Sequence, residues 1–285
     1  MGPAKEPAIL QLILLLAALL AGCAHRPAEP LAGRIWDVRA GAFVSERELF
    51  SRAAQARHVI LGEIHDNPEH HRLQLEVLRA LAGQRRVLAM EQFDSEHQAA
   101  MDQVTSGDAE ALADAGRFDR KGWNWPLYRP LVEFALERRW PVRAANLSRA
   151  EARRIVGDPA LSRLPPAPPA LLAGLERDIT QGHCGHRPEA KRLAGMVEAQ
   201  RARDARLASA LDSDSVLITG NGHARRDRGV PLHLKGAEVL SVGLVEIEPG
   251  KTAPREYLRG SYSEASFDFV WFTGRHERAD PCGGR

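Results

Sequence analysis

Apolar and polar positions along this chain follow two alternating rhythms. Short runs rich in apolar and β-branched residues recur at 58–61, 87–90, 141–145, 215–219 and 239–245. Each reads as a strand buried on both faces, and longer stretches with apolar side chains at helical spacing separate them. The first such stretch opens at Asn67, a cap, with Pro68 in the first helical position. Gly83 ends it, and Leu73, Leu75, Val77, Leu78 and Leu81 supply its apolar side. Further helices are predicted from Asp94 or Ser95 to about 104, over 108–115 and over 127–139. Ser148 with Glu151 forms a capping box that opens another.

The alternation breaks at Leu164-Pro165-Pro166-Ala167-Pro168-Pro169. This introduces a helical insertion, with Gly182-His183-Cys184-Gly185-His186 as a loop inside it and a long helix over 188–211. Before the main pattern, 35–38 and 42–44 form a hairpin around Gly41, and Ser45 with Glu48 caps a helix over 46–56. After it, 267–272 alternates in the manner of an edge strand. The expected fold is α/β: a mainly parallel central sheet flanked by helices on both faces, with a helical insertion.

Four of the strand runs end in polar residues. The first delivers Glu63 and His65, the second Glu91, the third Asn146 and the fourth Asn221 and His223. Open parallel sheets bind ligands just beyond the carboxyl ends of their strands, so these side chains meet in one crevice if the strands are neighbours. Two chemistries fit the set. His65, Glu91, His223 and Glu63 suit a divalent metal such as Mn, Co or Zn. The same four can also do catalytic acid–base work without metal, a Glu–His pair activating water. No His-Glu-x-x-His, nucleophile elbow, P-loop or dinucleotide fingerprint is present. His70 and His71 are adjacent on the first turn of a helix, about 100° apart, so one is expected at the surface.

Trp123, Trp125 and Tyr128 form an aromatic cluster ahead of Arg129. Its ordinary role is packing; its functional role would be a flat apolar wall with a phenol able to ligate iron. Arg225, Arg226 and Arg228 ordinarily make a solvated turn, but can pair with the carboxylates of an anionic ligand.

The N-terminus changes the picture. Lys5 precedes an apolar run over 8–20, the form of an export signal, and Leu20-Ala21-Gly22-Cys23 resembles the lipobox of bacterial lipoproteins. The expected organisation is a signal peptide over 1–22, a lipidated Cys23 with a proline-bearing tether over 23–34, and a domain over 35–285. The membrane is then a partner through the lipid on Cys23, and the resemblance to sorted lipoproteins implies, from Ala24, the bacterial outer membrane. Cys184 and Cys282 remain as an even pair for an oxidising compartment, where a bond would stabilise the fold by roughly 4–5 kcal/mol. A net charge of +2 argues against nucleic acid as a partner.

Together Val59 to His65, Met90-Glu91-Gln92-Phe93, Ala199-Gln200-x-x-x-Asp204, Gly220-Asn221-Gly222-His223 and Gly229-Val230-Pro231 resemble the ChaN-like haem-binding lipoproteins of the Tiki superfamily. The resemblance runs from about Ile35 to Cys282 and implies surface lipidation, haem binding and a part in iron uptake beside a haem-transport system. It also implies a homodimer that forms on haem, with a Tyr as ligand. Tyr128 is the candidate here because of its Trp neighbours, with Trp125, His65, His223 and Arg225 completing a haem site. The superfamily implies something else: two Gly-x-x-His motifs and a Glu that bind a divalent metal for hydrolysis. Here those are Gly62-x-x-His65, Gly220-x-x-His223 and Glu91. Both readings stand at this level, and so does the question of whether the protein is an enzyme.

Overall fold

A computed structural model describes residues 30–260, 262–280 and 282–283. The expected signal segment, the lipidated Cys23 and most of the tether lie outside them. Eight strands make one sheet: β1 (Ile35–Asp37), β2 (Ala42–Val44), β3 (His58–Glu63), β4 (Val87–Asp94), β5 (Val142–Asn146), β6 (Ser215–Gly220), β7 (Val239–Glu246) and β8 (Phe269–Thr273). Their order is β2-β1-β8-β7-β3-β6-β4-β5. From β8 to β5 every neighbouring pair is parallel; only β1 against β8 and the β1–β2 hairpin are antiparallel.

Alternate residues of each strand feed different layers, as the period of two in a pleated strand requires. Val59, Leu61, Leu88, Met90, Val216 and Ile218 join one core with helices Glu46–Gln55, Pro68–Ala80 and Trp125–Glu137. Ile60, Ala89, Leu217 and Val270 face the other, under Leu207 and Leu211 at the end of helix Ala190–Ser209. Helices therefore cover both faces, and the α/β expectation holds.

The caps behave as their chemistry predicts. Asn67 accepts from the Glu69 N–H, and Ser148 with Glu151 closes a reciprocal box. Several boundaries differ from expectation. β4 runs on through Glu91 to Asp94 with an irregularity in its pairing to β5. The predicted helix after Asp94 shrinks to a 3-10 turn, Ser95–His97, and a short helix, Gln98–Met101. The helix expected over 127–139 starts at Trp125, because Pro126 fits its first turn without losing a hydrogen bond. β8 is no edge strand: β1 and β7 flank it and all five of its residues are buried. Cys184 and Cys282 are bonded, with 5.6 Å between their Cα atoms.

Candidate functional site

The four strands that end in polar residues lie side by side, in the order β3, β6, β4, β5. Crossovers bring β6 between β3 and β4, so the ends of β3 and β6 are in register: Gly62 pairs with Thr219 and Glu63 with Gly220. Glycine at both motifs allows close approach. A Cβ on Gly62 would lie 2.3 Å from Asn221 Oδ1, and one on Gly220 would lie 3.0 Å from His65 Cε1 and 3.1 Å from Nε2. The His65 ring therefore lies over the Gly220 backbone, and the two Gly-x-x-His motifs share one crevice.

Glu63 is the centre of the first half. It is 2 % exposed, and Tyr128 donates its hydroxyl to Oε1 at 2.6 Å. Gln92 donates to the same oxygen at 3.3 Å, Gln74 donates to Oε2 at 2.7 Å, and His65 Nδ1 meets Oε1 at 2.8 Å. Burial opposes ionisation, but the His71 and His65 imidazoles and the hydrogen bonds from His65 and Tyr128 hold the carboxyl below its ordinary range. For His65, burial disfavours the cation; the hydrogen bond to Glu63 and the charges of Glu91, Glu63 and Asp66 overcome it and raise the imidazole to about 9. Its side chain remains 43 % exposed, edge-on to Trp123 at 4.7 Å between ring centres.

Glu91 and His223 form the second half. Glu91 Oε2 accepts from the Thr219 hydroxyl at 2.6 Å and from the Gly220 N–H at 2.8 Å. Its Oε1 lies 3.5 Å from His223 Nε2. Burial again opposes the charge, but His223 and His65 with these two donors bring Glu91 down to about 2. On the far side of the ring, His223 Nδ1 lies 2.6 Å from Asp204 Oδ1, with the Gln200 amide 3.2 Å from Nδ1. Burial pushes Asp204 up to about 6, against the pull of His223. His223 is itself raised: burial lowers it, and Glu91 and Asp204 outweigh burial.

Glu63, His65, Glu91 and His223 thus converge as the strand ends predict; the two asparagines do not join them. Asn146 accepts from Arg203, and the Asn221 amide donates to the Leu244 carbonyl. Tyr128 is fully buried with its hydroxyl committed to Glu63, and burial followed by the Glu63 charge raises its pKa. Trp125 donates to Glu110 and packs on Phe118, while Arg225 donates from Nε and Nη2 to the two carboxylate oxygens of Asp227. These three serve packing or positioning in this structure.

Neither His70 nor His71 reaches the surface, against expectation, because the loop after β3 folds back over the helix start. His70 Nδ1 accepts from the Ile64 N–H and Nε2 meets Thr273, while His71 Nε2 donates to the His65 carbonyl. Gln92, Gln200 and Asp204 stand in the motifs that carry the resemblance but not among the expected site residues, and Gln74 stands in neither. The i,i+4 spacing of Gln200 and Asp204 on one helix face is the signal that would have found that pair. No comparable signal marks Gln74.

The arrangement offers two imidazoles, each held by a buried carboxylate, and it can bind, orient or exchange protons. Donor atoms satisfy one another here: among the described residues no group of three or more His, Cys, Asp or Glu is disposed to hold a metal ion. The expected divalent-metal set is therefore present as residues but not as a metal geometry.

Comparison with known structures supports the fold assignment. ChaN of Campylobacter jejuni, solved with cofacially bound haem, is similar over 83 % of this chain and 95 % of its own, at a TM-score of 0.70 and 23 % identity. An erythromycin esterase mutant in its open conformation matches at a TM-score of 0.45 and 9 % identity, over 83 % of this chain and 95 % of its own. A Bacillus cereus protein matches at 0.47 and 10 %, over 80 % of this chain and 90 % of its own. No curated protein matches the chain. The family described as haem-binding uptake, Tiki superfamily, ChaN matches residues 49–234, a span that contains every residue of the crevice. The chain belongs to this ChaN family.

Proposed function

We propose that the protein binds haem at the crevice beyond β3 and β6 and takes part in haem and iron uptake at the cell envelope. The family match over 49–234 carries this reading, since it covers both Gly-x-x-His motifs and Glu91. The site's chemistry fits a porphyrin iron. The half-exposed His65 ring has one nitrogen anchored on Glu63, and Trp123 offers an aromatic edge beside it. Attachment through lipid on Cys23, an outer-membrane address, a homodimer on haem and a partner transport system belong to the same proposal; the lipobox-like Leu20-Ala21-Gly22-Cys23 supports the first. Haemin titrated into the purified full-length chain in detergent is expected to give a saturable shift of the Soret band. A spectrum identical to free haemin at every ratio would overturn the reading.

A second reading is hydrolysis in the same crevice, with Glu63 as the proton acceptor. The observation that favours it is the pair of carboxylate–imidazole contacts, Glu63 with His65 and Asp204 with His223. It expects turnover of an ester or peptide that is lost in Glu63→Gln. If Mn, Co or Zn takes part, near-stoichiometric metal in the gently purified protein is expected as well. Absence of turnover with and without added ions would reject it.

A further inference from the structure

The chain has three tyrosines, and each holds its hydroxyl in a hydrogen bond within the fold. Tyr128 is fully buried and donates to Glu63. Tyr257 is 2 % exposed, and its oxygen accepts from the Glu248 N–H at 2.7 Å. Tyr262 is half-buried beside a cavity, with Phe267 against its ring and the Arg225 guanidinium over it, but its hydroxyl is hydrogen-bonded with Asn221 and burial pushes it up to about 12. Among the described residues thiolate is no substitute, because Cys184 and Cys282 are bonded to each other.

The histidines differ sharply from one another. His58, His70 and His71 are buried and hydrogen-bonded inside the fold. His223 has a carboxylate on each side of its ring and a side chain only 10 % exposed. His183 and His186 hold backbone carbonyls beside the disulfide. Among the described residues, His65 alone combines a half-exposed ring, a nitrogen held by a buried carboxylate and an aromatic neighbour. Its Nδ1 meets Glu63 at 2.8 Å, and no described hydrogen bond engages its Nε2.

Resting on the haem reading above, we infer that the iron ligand in this protein is His65 through Nε2, with Glu63 as the residue that positions and charges the imidazole. Metal-binding histidines commonly donate their second ring N–H to a carboxylate, which fixes the tautomer and raises ligand basicity. The Glu63 carboxylate is built for that task. Tyr128, Gln92 and Gln74 hold its oxygens in place, and the ring it orients lies over a backbone with no side chain, at Gly220. Anionic character passed to the imidazole favours ferric over ferrous iron. The phenol of Tyr128 would then act on the metal through two hydrogen bonds, one to Glu63 and one between Glu63 and the His65 ring.

The test is spectroscopic and uses the full-length chain with haemin. Wild type is expected to show imidazole rather than phenolate ligation, by absorption of the ferric form and by an iron–imidazole stretch in the resonance Raman spectrum of the ferrous form. His65→Gly is expected to lose that signature and to weaken haemin binding by more than about ten- to hundredfold, the loss that removing only a ligand's outer partner causes. Added free imidazole should restore both in this variant, which also shows that it has folded. Glu63→Gln should keep the ligand but lower the iron–imidazole stretch and raise the reduction potential, which a purely structural Glu63 would not do. The double variant Tyr257→Phe/Tyr262→Phe should leave the spectrum unchanged. Phenolate ligation in wild type, or imidazole ligation that survives in His65→Gly, overturns the inference while leaving haem binding intact. Failure of the wild type to bind haemin overturns both readings, and is seen before any variant is made.

Discussion

Glu63 carries its charge where water does not reach, so the donors around it decide whether it can do so. Hydrogen bonds to a charged acceptor are worth about 1.5–3 kcal/mol, more than neutral ones. Tyr128→Phe removes one such donor without opening a cavity and is expected to lower the unfolding free energy by about that amount, read from the denaturant midpoint. His70 and His65 respond to pH in opposite senses. Burial holds His70 at about 4 against an ordinary 6.5, so the fold keeps it neutral while the unfolded chain takes up a proton below 6.5. Its contribution is full above pH 6.5 and is lost as pH falls towards 4, roughly 3 kcal/mol by linkage. His65 is raised to about 9, so its contribution is full below 6.5 and is lost as pH rises through 9. Thermal unfolding between pH 4 and 7 should show the first effect, and His70→Asn should be less stable at pH 7 but have a flatter acid slope. An unchanged slope would refute the assignment to His70. At this scale the sequence shows the groups that leave strand ends, because β-runs point to them. It does not show Gln74, which looks like any polar position on an amphipathic helix until the neighbouring strand is known, and it shows Asp204 only through its motif with Gln200. The asparagines mislead for a related reason: an amide at a strand end serves the backbone as readily as a ligand.

The elements that matter most are β3, β6 and the turn Asn221–Ala224 that follows β6. Their join depends on Gly62, whose missing side chain leaves room for Asn221 Oδ1 at 2.3 Å and Ala224 Cβ at 3.0 Å from the Cβ position. Asn221 is tied by its amide to Leu244 and cannot simply swing aside. Gly62→Ala is therefore expected to destabilise the protein by about 1–3 kcal/mol, the usual range for overpacking, and to weaken haemin binding by displacing His223 from Glu91. A variant as stable as wild type, with unchanged haemin affinity, would show that the two motifs are not packed through this contact. Strand and helix rhythms in the sequence were enough to locate nearly every element here. β8 misled because its alternation was read as exposure, whereas the β1–β2 hairpin pairs with it and covers its outer edge. The early start at Trp125 was hidden because Trp and Asn ahead of a proline look like a loop.

Over the whole molecule, the C-terminal segment binds distant parts together. Arg278 pairs with Glu246 and with Asp66 in the loop beside His65, and Cys282 then bonds to Cys184 in the helical insertion. Replacing Cys282 with Ser should lower the unfolding free energy by about 4–5 kcal/mol, as expected for opening a loop of 98 residues; an unchanged denaturant midpoint would contradict this. The cysteine pairing is legible in the sequence only after Cys23 is set aside for the lipobox-like motif, which leaves two of the three cysteines. The neighbours of β3 are not, since strand adjacency across a crossover leaves no local pattern in the chain. That adjacency has a consequence for synthesis. β3 has β6 on one side and β7 on the other, and His58 meets Ser215 only across 157 residues of chain. A ribosome making this protein releases an apolar strand early and the partners for both its edges late. A chain interrupted before residue 215 carries Glu63 and His65 with no neighbouring strand, and so no crevice. Pairing at such long range is slow and leaves sticky intermediates. Newly made chains thus depend on shelter during the interval between the birth of one half of the site and the arrival of the other.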